Sequence, residues 1–399
     1  MTTSEFDSYR PPEPARRRRR GLFQRATDDS PASDRARGGG RGRGGGRTRG
    51  GGTGGRQGLA GRGGRGARGA DGSREMPMVA EAEFTSYYGR PIVKAPPWGH
   101  EISTYLFLGG LAGGSGLLGI GAQLSGRELL RRNARLTALG AVSAGAVALI
   151  MDLGRPERFL NMMRTVKVTS PMSLGSWILA GFSTPMGVAA VSELDRLTGE
   201  KLPLGPLRRV LRGVEAPAGA AAGVFAAPLA AYTAVLLSDT AVPTWHGARR
   251  HLPYVFVSSA SLAAGGAAMV TTPTSQTGPA RVLAVLGVAG DVIAMHVMKE
   301  NMHPAEAEPL ETGAPGAKLK WAERLAIVGG IGTLFASNRL VAAASGTALL
   351  AASALTRFGV LEAGLESTKD PKYVIEPQKD RLAARRAAGI TDDSITTAG

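Results

Sequence analysis

From Ile102 onward, long apolar stretches alternate with short charged segments. Eight stand out, over about 102–124, 136–152, 172–192, 216–238, 253–272, 280–298, 322–337 and 340–361. Most approach the roughly 20 residues that a helix needs to cross the hydrocarbon core. A soluble amphipathic helix would show polar residues every third or fourth position, yet the stretch from Ala216 to Leu237 carries no charge. The stretches are too long for membrane strands and do not alternate with a period of two. In lipid the backbone must satisfy its own hydrogen bonds, so they read as helices. The pattern predicts an all-α integral membrane protein. Eight transmembrane helices, as two four-helix bundles, would occupy residues 98–362, with a C-terminal tail over 363–399.

Residues 1–80 break this pattern, with almost no large apolar side chains. The chain of 399 residues has a net charge of +16. Residues 1–74 hold 18 arginines against seven acids and no lysine, so they carry about +11 of it. Arg16 to Arg20 are consecutive, and Gly38 to Gly72 is dominated by arginine and glycine. Such a segment cannot bury enough apolar area to offset its ordering entropy, so it reads as a disordered tail. Its chemistry suits a solvated topology signal or anionic lipid headgroups; RNA is the weaker match and nucleic acid is not an expected partner. No apolar run follows Arg16–Arg20, which argues against an export signal.

Eight spans put both termini on one face of the membrane, here the N side. Basic residues near the membrane are nearly balanced between the two sets of loops. The opposite loops hold Arg131, Arg135, Arg196, Arg208 and Arg212 among others. The arginine tail tips the expectation to cytoplasmic termini in a plasma-membrane protein. Parity then gathers the polar residues: Glu101, Asp152, Asp239 and Glu300 fall at N-side helix ends, with His100, His246 and His303. Asp291 sits nine residues before Glu300, about 13 Å deeper along a helix. An ionisable group inside a span is a functional candidate. His296 and Glu300 are four apart and share a face, whereas Asp291 is expected to face another way.

The absence of cysteine excludes disulfides, thiolate metal sites and cysteine-held iron–sulfur clusters. Only His296 among five histidines falls inside a span, so a bis-histidine haem lacks a second ligand. His296-x3-Glu300-x2-His303 has metal-like helical spacing, but a proton relay or a solvated surface is the better reading, and no metal is expected. Gly109, Gly110, Gly113 and Gly114 make two overlapping GxxxG pairs suited to close helix packing in lipid. Gly114-x-Gly116-x-x-Gly119 spells a dinucleotide motif without the strand that motif needs.

Several linked motifs, spanning about 90–380, resemble the NrfD-like family of polysulfide reductase membrane subunits. They are Trp98-Gly99-His100-Glu101, Tyr105 through Gly114, Asp152-Leu153-Gly154-Arg155-Pro156-Glu157-Arg158-Phe159, and Ser170-Pro171-Met172-Ser173-Leu174-Gly175-Ser176-Trp177. Tyr232 through Leu237, Ala241-Val242-Pro243-x-Trp245 and Thr368 through Tyr373 follow in order. The resemblance implies a haem-free, eight-helix subunit with quinone as cofactor, menaquinone in particular. It implies two partners, an iron–sulfur (ferredoxin-like) subunit and a molybdopterin catalytic subunit.

Carried over by motif position, Glu101, Tyr105 and Tyr232 are the quinone-site candidates. Tyr105 and Tyr232 would hydrogen-bond the quinone carbonyls. Glu101, with His100, would exchange the proton. Asp152 and Arg155 would pair at the end of the second helix, and Asp291, His296 and Glu300 would form a proton path. Such a subunit does no substrate chemistry alone. Two other classes stay open: a proton-coupled secondary transporter built around Asp291, and a membrane anchor whose Arg/Gly tail binds RNA or lipid.

Overall fold

The computed structural model describes residues 91–153, 157, 161 and 163–390. The Arg/Gly-rich segment and Arg155 lie outside the described residues. Every regular element among the described residues is helical. The first four are α1 (His100–Leu124), α2 (Glu128–Asp152), α3 (Pro171–Leu197) and α4 (Leu207–Ser238). A short α5 (Pro243–Gly247) leads into α6 (Leu252–Thr271) and α7 (Gly278–Glu300). Then come a short α8 (Pro304–Glu311), α9 (Gly313–Leu334), α10 (Arg339–Ser367) and α11 (Lys372–Ala387).

Seven helices (α1–α4, α6, α7 and α10) are long and apolar enough to cross a membrane. The expected span over 322–337 falls in α9, whose first half carries Lys318, Lys320, Glu323 and Arg324. Those charges keep it out of the apolar set. The helices also run past the apolar stretches: α2 begins at Glu128, α4 at Leu207, and α10 continues to Ser367. Part of the segment expected as a C-terminal tail is therefore helical.

Helices α1, α2, α3 and α4 pack on one another, as do α6, α7, α9 and α10; α1 and α6 join the two groups. These two helices are central: 72% of the apolar window of α1 and 67% of that of α6 are buried, against 22% for α7. The outer side chains of α7, such as Val282, Leu286 and Ile293, are apolar and exposed, as lipid contact requires.

The glycines of α1 explain its central place. A Cβ on Gly113 would lie 2.7 Å from the Ala226 carbonyl of α4, and one on Gly114 2.6 Å from the Ala260 carbonyl of α6. The GxxxG pairs thus serve two neighbours, with backbones in near contact. On the side opposite the termini, the helix ends are closed by side chains from elsewhere. Gln276 accepts from the Leu129 N–H at 3.0 Å at the start of α2. Arg339 donates to the Met269 carbonyl at 2.6 Å and to the Thr272 carbonyl at 3.1 Å, closing α6. Arg281 donates to the Thr333 and Leu334 carbonyls at 3.1 and 3.0 Å, closing α9. Cationic groups at C-termini satisfy orphan carbonyls and oppose the helix dipole.

Candidate functional site

Near the N-side ends of α1–α4 lies an inner cavity of about 80 Å³. Tyr105 and Ile102 reach it from α1, Asp152 and Leu149 from α2, Met172, Gly175 and Ser176 from α3, and Tyr232 from α4. Tyr105 is 3% exposed and Tyr232 8%. Their depths agree, because Tyr105 is five residues from the start of α1 and Tyr232 six from the end of α4, or about 8 Å at 1.5 Å per residue. The Tyr232 ring fits because residue 175 is glycine: a Cβ there would overlap the ring and its hydroxyl.

Tyr232 also lines a second space, an apolar groove of about 330 Å³. Val168, Pro171, Leu174, Ile178, Pro228 and Val235 form its walls. Leu174 and Val235 are exposed, so the groove lies on the outer flank of the helices, between α3 and α4. Tyr232 is the wall shared by cavity and groove.

The cavity roof is fixed from a distance. Trp98 stacks on Trp245 with ring centroids 5.5 Å apart. The Trp245 indole donates to the Val360 carbonyl at 2.8 Å, and the ring covers the place of a Cβ on Gly364. Thus α5 and α10 position the residue that leads into α1.

The structure brings together Tyr105, Tyr232 and Asp152; Arg155 lies outside the described residues. Glu101 is not among the residues lining this cavity. Its carboxylate folds back toward Gly99, where an added Cβ would meet Oε2 at 2.6 Å. It lines a separate depression of about 640 Å³ with Pro96, Glu362, Glu366 and Lys369. His100 is exposed and stacks on Phe358, with centroids 6.1 Å apart. The helical spacing put Glu101 and Tyr105 on one face, but the chain before α1 separates them.

A third space, a crevice of about 520 Å³, opens between α7, α8 and α9. Asp291, His296 and Glu300 all line it, Asp291 from a different, buried side of the helix than the exposed His296 and Glu300. The crevice spans a broad sector of α7, from Asp291 and Met295 to His296 and Glu300. Asp291 is 5% exposed, whereas His296 and Glu300 are open to solvent and lie 3.1 Å apart. His303 turns away to Asp380 at 2.9 Å, so the His-Glu-His spacing does not converge.

One buried charge and one charged cluster were not visible as such in the sequence. Arg357, on α10, is fully buried in a stretch counted as apolar. The cluster holds α2, α3 and α4 together at the opposite end. Arg135 donates to Glu193 at 2.9 Å and to Glu215 at 2.6 Å, and Arg196 bonds Glu215 at 2.9 Å through Nη1. Arg131 donates to Glu193 at 2.8 Å, and Arg208 and Arg212 hold the buried Asp195 at 2.9 and 3.0 Å. These arginines were counted as loop charges; they lie on helices and pair with buried acids. Five arginines clustered beside the ends of the second, third and fourth apolar stretches were the signal for such a network.

Seven apolar membrane-length helices and an aromatic cavity near one face define a multi-pass helical membrane protein. The family model for polysulphide reductase, NrfD, matches residues 92–365. The chain belongs to this family, whose members are quinone-associated membrane subunits of oxidoreductases. No curated protein matches the chain.

Proposed function

We propose that this protein is the quinone-reactive membrane subunit of an oxidoreductase complex, with the quinone headgroup held between α1, α2, α3 and α4. The observation that carries this reading is the convergence of Tyr105, Asp152 and Tyr232 on one buried cavity that adjoins a flank groove at Tyr232. The donor set fits the group: two phenol hydroxyls can donate to carbonyls and one carboxylate can exchange a proton. The groove fits an isoprenoid tail, because its walls are almost wholly apolar. The inner cavity, at about 80 Å³, is below the 300–1,000 Å³ of typical ligand sites, so the Tyr232 ring must move to admit a headgroup.

When bound, quinone supplies two-electron, two-proton redox chemistry. Within the chain, Tyr105 and Tyr232 orient the headgroup by hydrogen bonds, and Trp98 and Ile102 exclude water. Asp152 takes the proton-exchange role first expected of Glu101, because it reaches the cavity and Glu101 does not. Asp291, His296 and Glu300 line a proton route from the N-side face into the second helix group. In this reading α9 completes eight spans as two four-helix bundles, the termini are cytoplasmic, and an iron–sulfur subunit with a molybdopterin partner exchanges electrons at the N-side face. Packing of α9 against α7 and α10 supports the eight-span arrangement.

The test is quinone-linked turnover of the assembled complex. Asp152→Asn and Tyr232→Phe are expected to lose most of it while assembly persists; full turnover in both would remove the cavity from consideration.

A further inference from the structure

Beside the Asp291 crevice lies a second buried charge, Arg357, inside a stretch of otherwise uncharged residues. Asp291 and Arg357 lie at one depth: Asp291 is nine residues from the N-side end of α7, and Arg357 ten from that of α10. That places both about 13–15 Å below the face at 1.5 Å per residue. Thr356, beside Arg357, lines the crevice with Asp291. The two charges interact electrostatically across the helix group. Yet neither is fully satisfied: Oδ1 of Asp291, and Nε and Nη1 of Arg357, have no hydrogen-bond partner among the described residues.

The guanidinium is held firmly elsewhere. Nη2 donates to the Phe256 carbonyl of α6 at 2.6 Å, and the carbon of the fork lies 3.6 Å from the Phe256 ring centroid. A Cβ on Gly110 of α1 would lie 3.0 Å from Nη2. Arg357 is therefore a fixed positive charge seated at the meeting of α1, α6 and α10, next in sequence to the crevice-lining Thr356. A buried carboxylate with an open lone pair is costly, and both a proton and a counter-charge relieve that cost. The other charged groups around the crevice are Lys299, Glu300 and His296 on α7, Glu311 on α8, and Lys320 and Glu323 on α9. Among them, the negative charge of Glu323 acts on Asp291 in the sense opposite to that of Arg357.

We propose that Arg357 is a positioning residue that holds Asp291 ionised at the floor of the crevice, making Asp291 a proton-loading site. The inference rests on the crevice being the proton route. The step is simple in balance: a hydrated proton from the N-side face adds to the Asp291 carboxylate, giving the neutral acid, and leaves by reversal. Arg357 keeps its charge throughout. Loading frees Arg357 from its counter-charge, at a point where it touches the helix that carries Tyr105.

The experiment uses the purified full-length protein, or its complex, and a hydrophobic carbodiimide, which modifies carboxyls only when they are protonated and accessible. Peptide mass spectrometry at near-neutral pH reads modification at Asp291, with Glu300 as an internal reference. Wild type is expected to label weakly at Asp291 and strongly as pH falls. Arg357→Gln is expected to raise Asp291 labelling at neutral pH roughly tenfold, the scale of losing a nearby opposite charge. Arg357→Lys, which keeps the charge, is expected to stay near wild type; a merely structural arginine would make Lys as disruptive as Gln. If Arg357→Gln does not fold, thermal stability of the Asp291→Asn/Arg357→Gln double variant decides. It should exceed that of Arg357→Gln alone, and equal or lower stability overturns the coupling. Equal Asp291 labelling in wild type and Arg357→Gln overturns the role of Arg357 but leaves the crevice as a proton route. Labelling of Glu300 without Asp291 at any pH overturns both.

Discussion

The Tyr232 ring occupies the space that a side chain on Gly175 would fill. One missing methyl on α3 therefore sets where the phenol of α4 sits and how the inner cavity meets the flank groove. Gly175→Ala must push Tyr232 toward one space or the other. The variant is expected to keep its helix content and its membrane insertion. Binding of a quinone analogue, followed by fluorescence quenching or calorimetry, should weaken about tenfold or more, or 1.4 kcal/mol. Unchanged affinity would show that the position of Tyr232 does not matter to the site.

Asp152 and Glu101 make different predictions at one step. Asp152 lines the tyrosine cavity and Glu101 a separate depression. Quinone-linked turnover should fall at least roughly tenfold in Asp152→Asn, the scale of a lost acid–base group. It should stay within about twofold in Glu101→Gln, a change that leaves the cavity lining intact. The reverse order would return the proton step to Glu101.

The ionic cluster at the other end is a stability element. Arg135 and Glu193 are 2% and 1% exposed and Glu215 is 5% exposed, so removing Arg135 withdraws the buried cation shared by two acids and leaves Arg131 and Arg196 to hold them. Arg135→Met is expected to cost roughly 1.5–3 kcal/mol, the scale of lost hydrogen bonds to charged groups. Thermal unfolding in detergent should show a clearly lowered midpoint, with weak salt dependence because Arg135, Glu193 and Glu215 are buried. A variant as stable as wild type would mean that the network contributes nothing net.

The docking of α11 has a pH signature. The Lys372 ammonium lies 2.8 and 2.9 Å from the two oxygens of Glu308, and this hydrogen bonding lifts Lys372 above its ordinary value of 10.5. A raised lysine contributes below its unfolded value and loses that contribution as pH climbs through the folded one. Limited proteolysis at Lys379 and Arg385 should therefore stay constant from neutral pH up to the ordinary lysine range and increase only above it. Glu308→Gln should increase cleavage at neutral pH already.

Much of this was legible in the residues. The apolar stretches gave the helix order, and the glycines of α1 announced close packing, because small side chains matter most where bulk apolarity drives nothing together. Tyr105 and Tyr232 were found by motif position, and the structure brings them together. What stayed hidden depends on facing rather than on depth. Glu101 shares a helical face with Tyr105, but its carboxylate folds back toward Gly99 and away from the cavity. Arg357 vanished inside a hydrophobic average, and only its partners on α1 and α6 reveal a buried fixed charge. The arginines near Glu193 and Glu215 were read by sign as topology signals, whereas their acids lie on neighbouring helices far away in sequence.

The central claim is that the cavity between α1, α2, α3 and α4 receives the quinone headgroup. Photolabelling the assembled complex with a photoreactive quinone analogue, followed by peptide mapping, tests it most directly. The account predicts label on peptides containing Tyr105, Met172 to Ser176 or Tyr232, competed away by unlabelled quinone and reduced in Gly175→Ala. Competable label confined to α6, α7, α9 or α10 would contradict it.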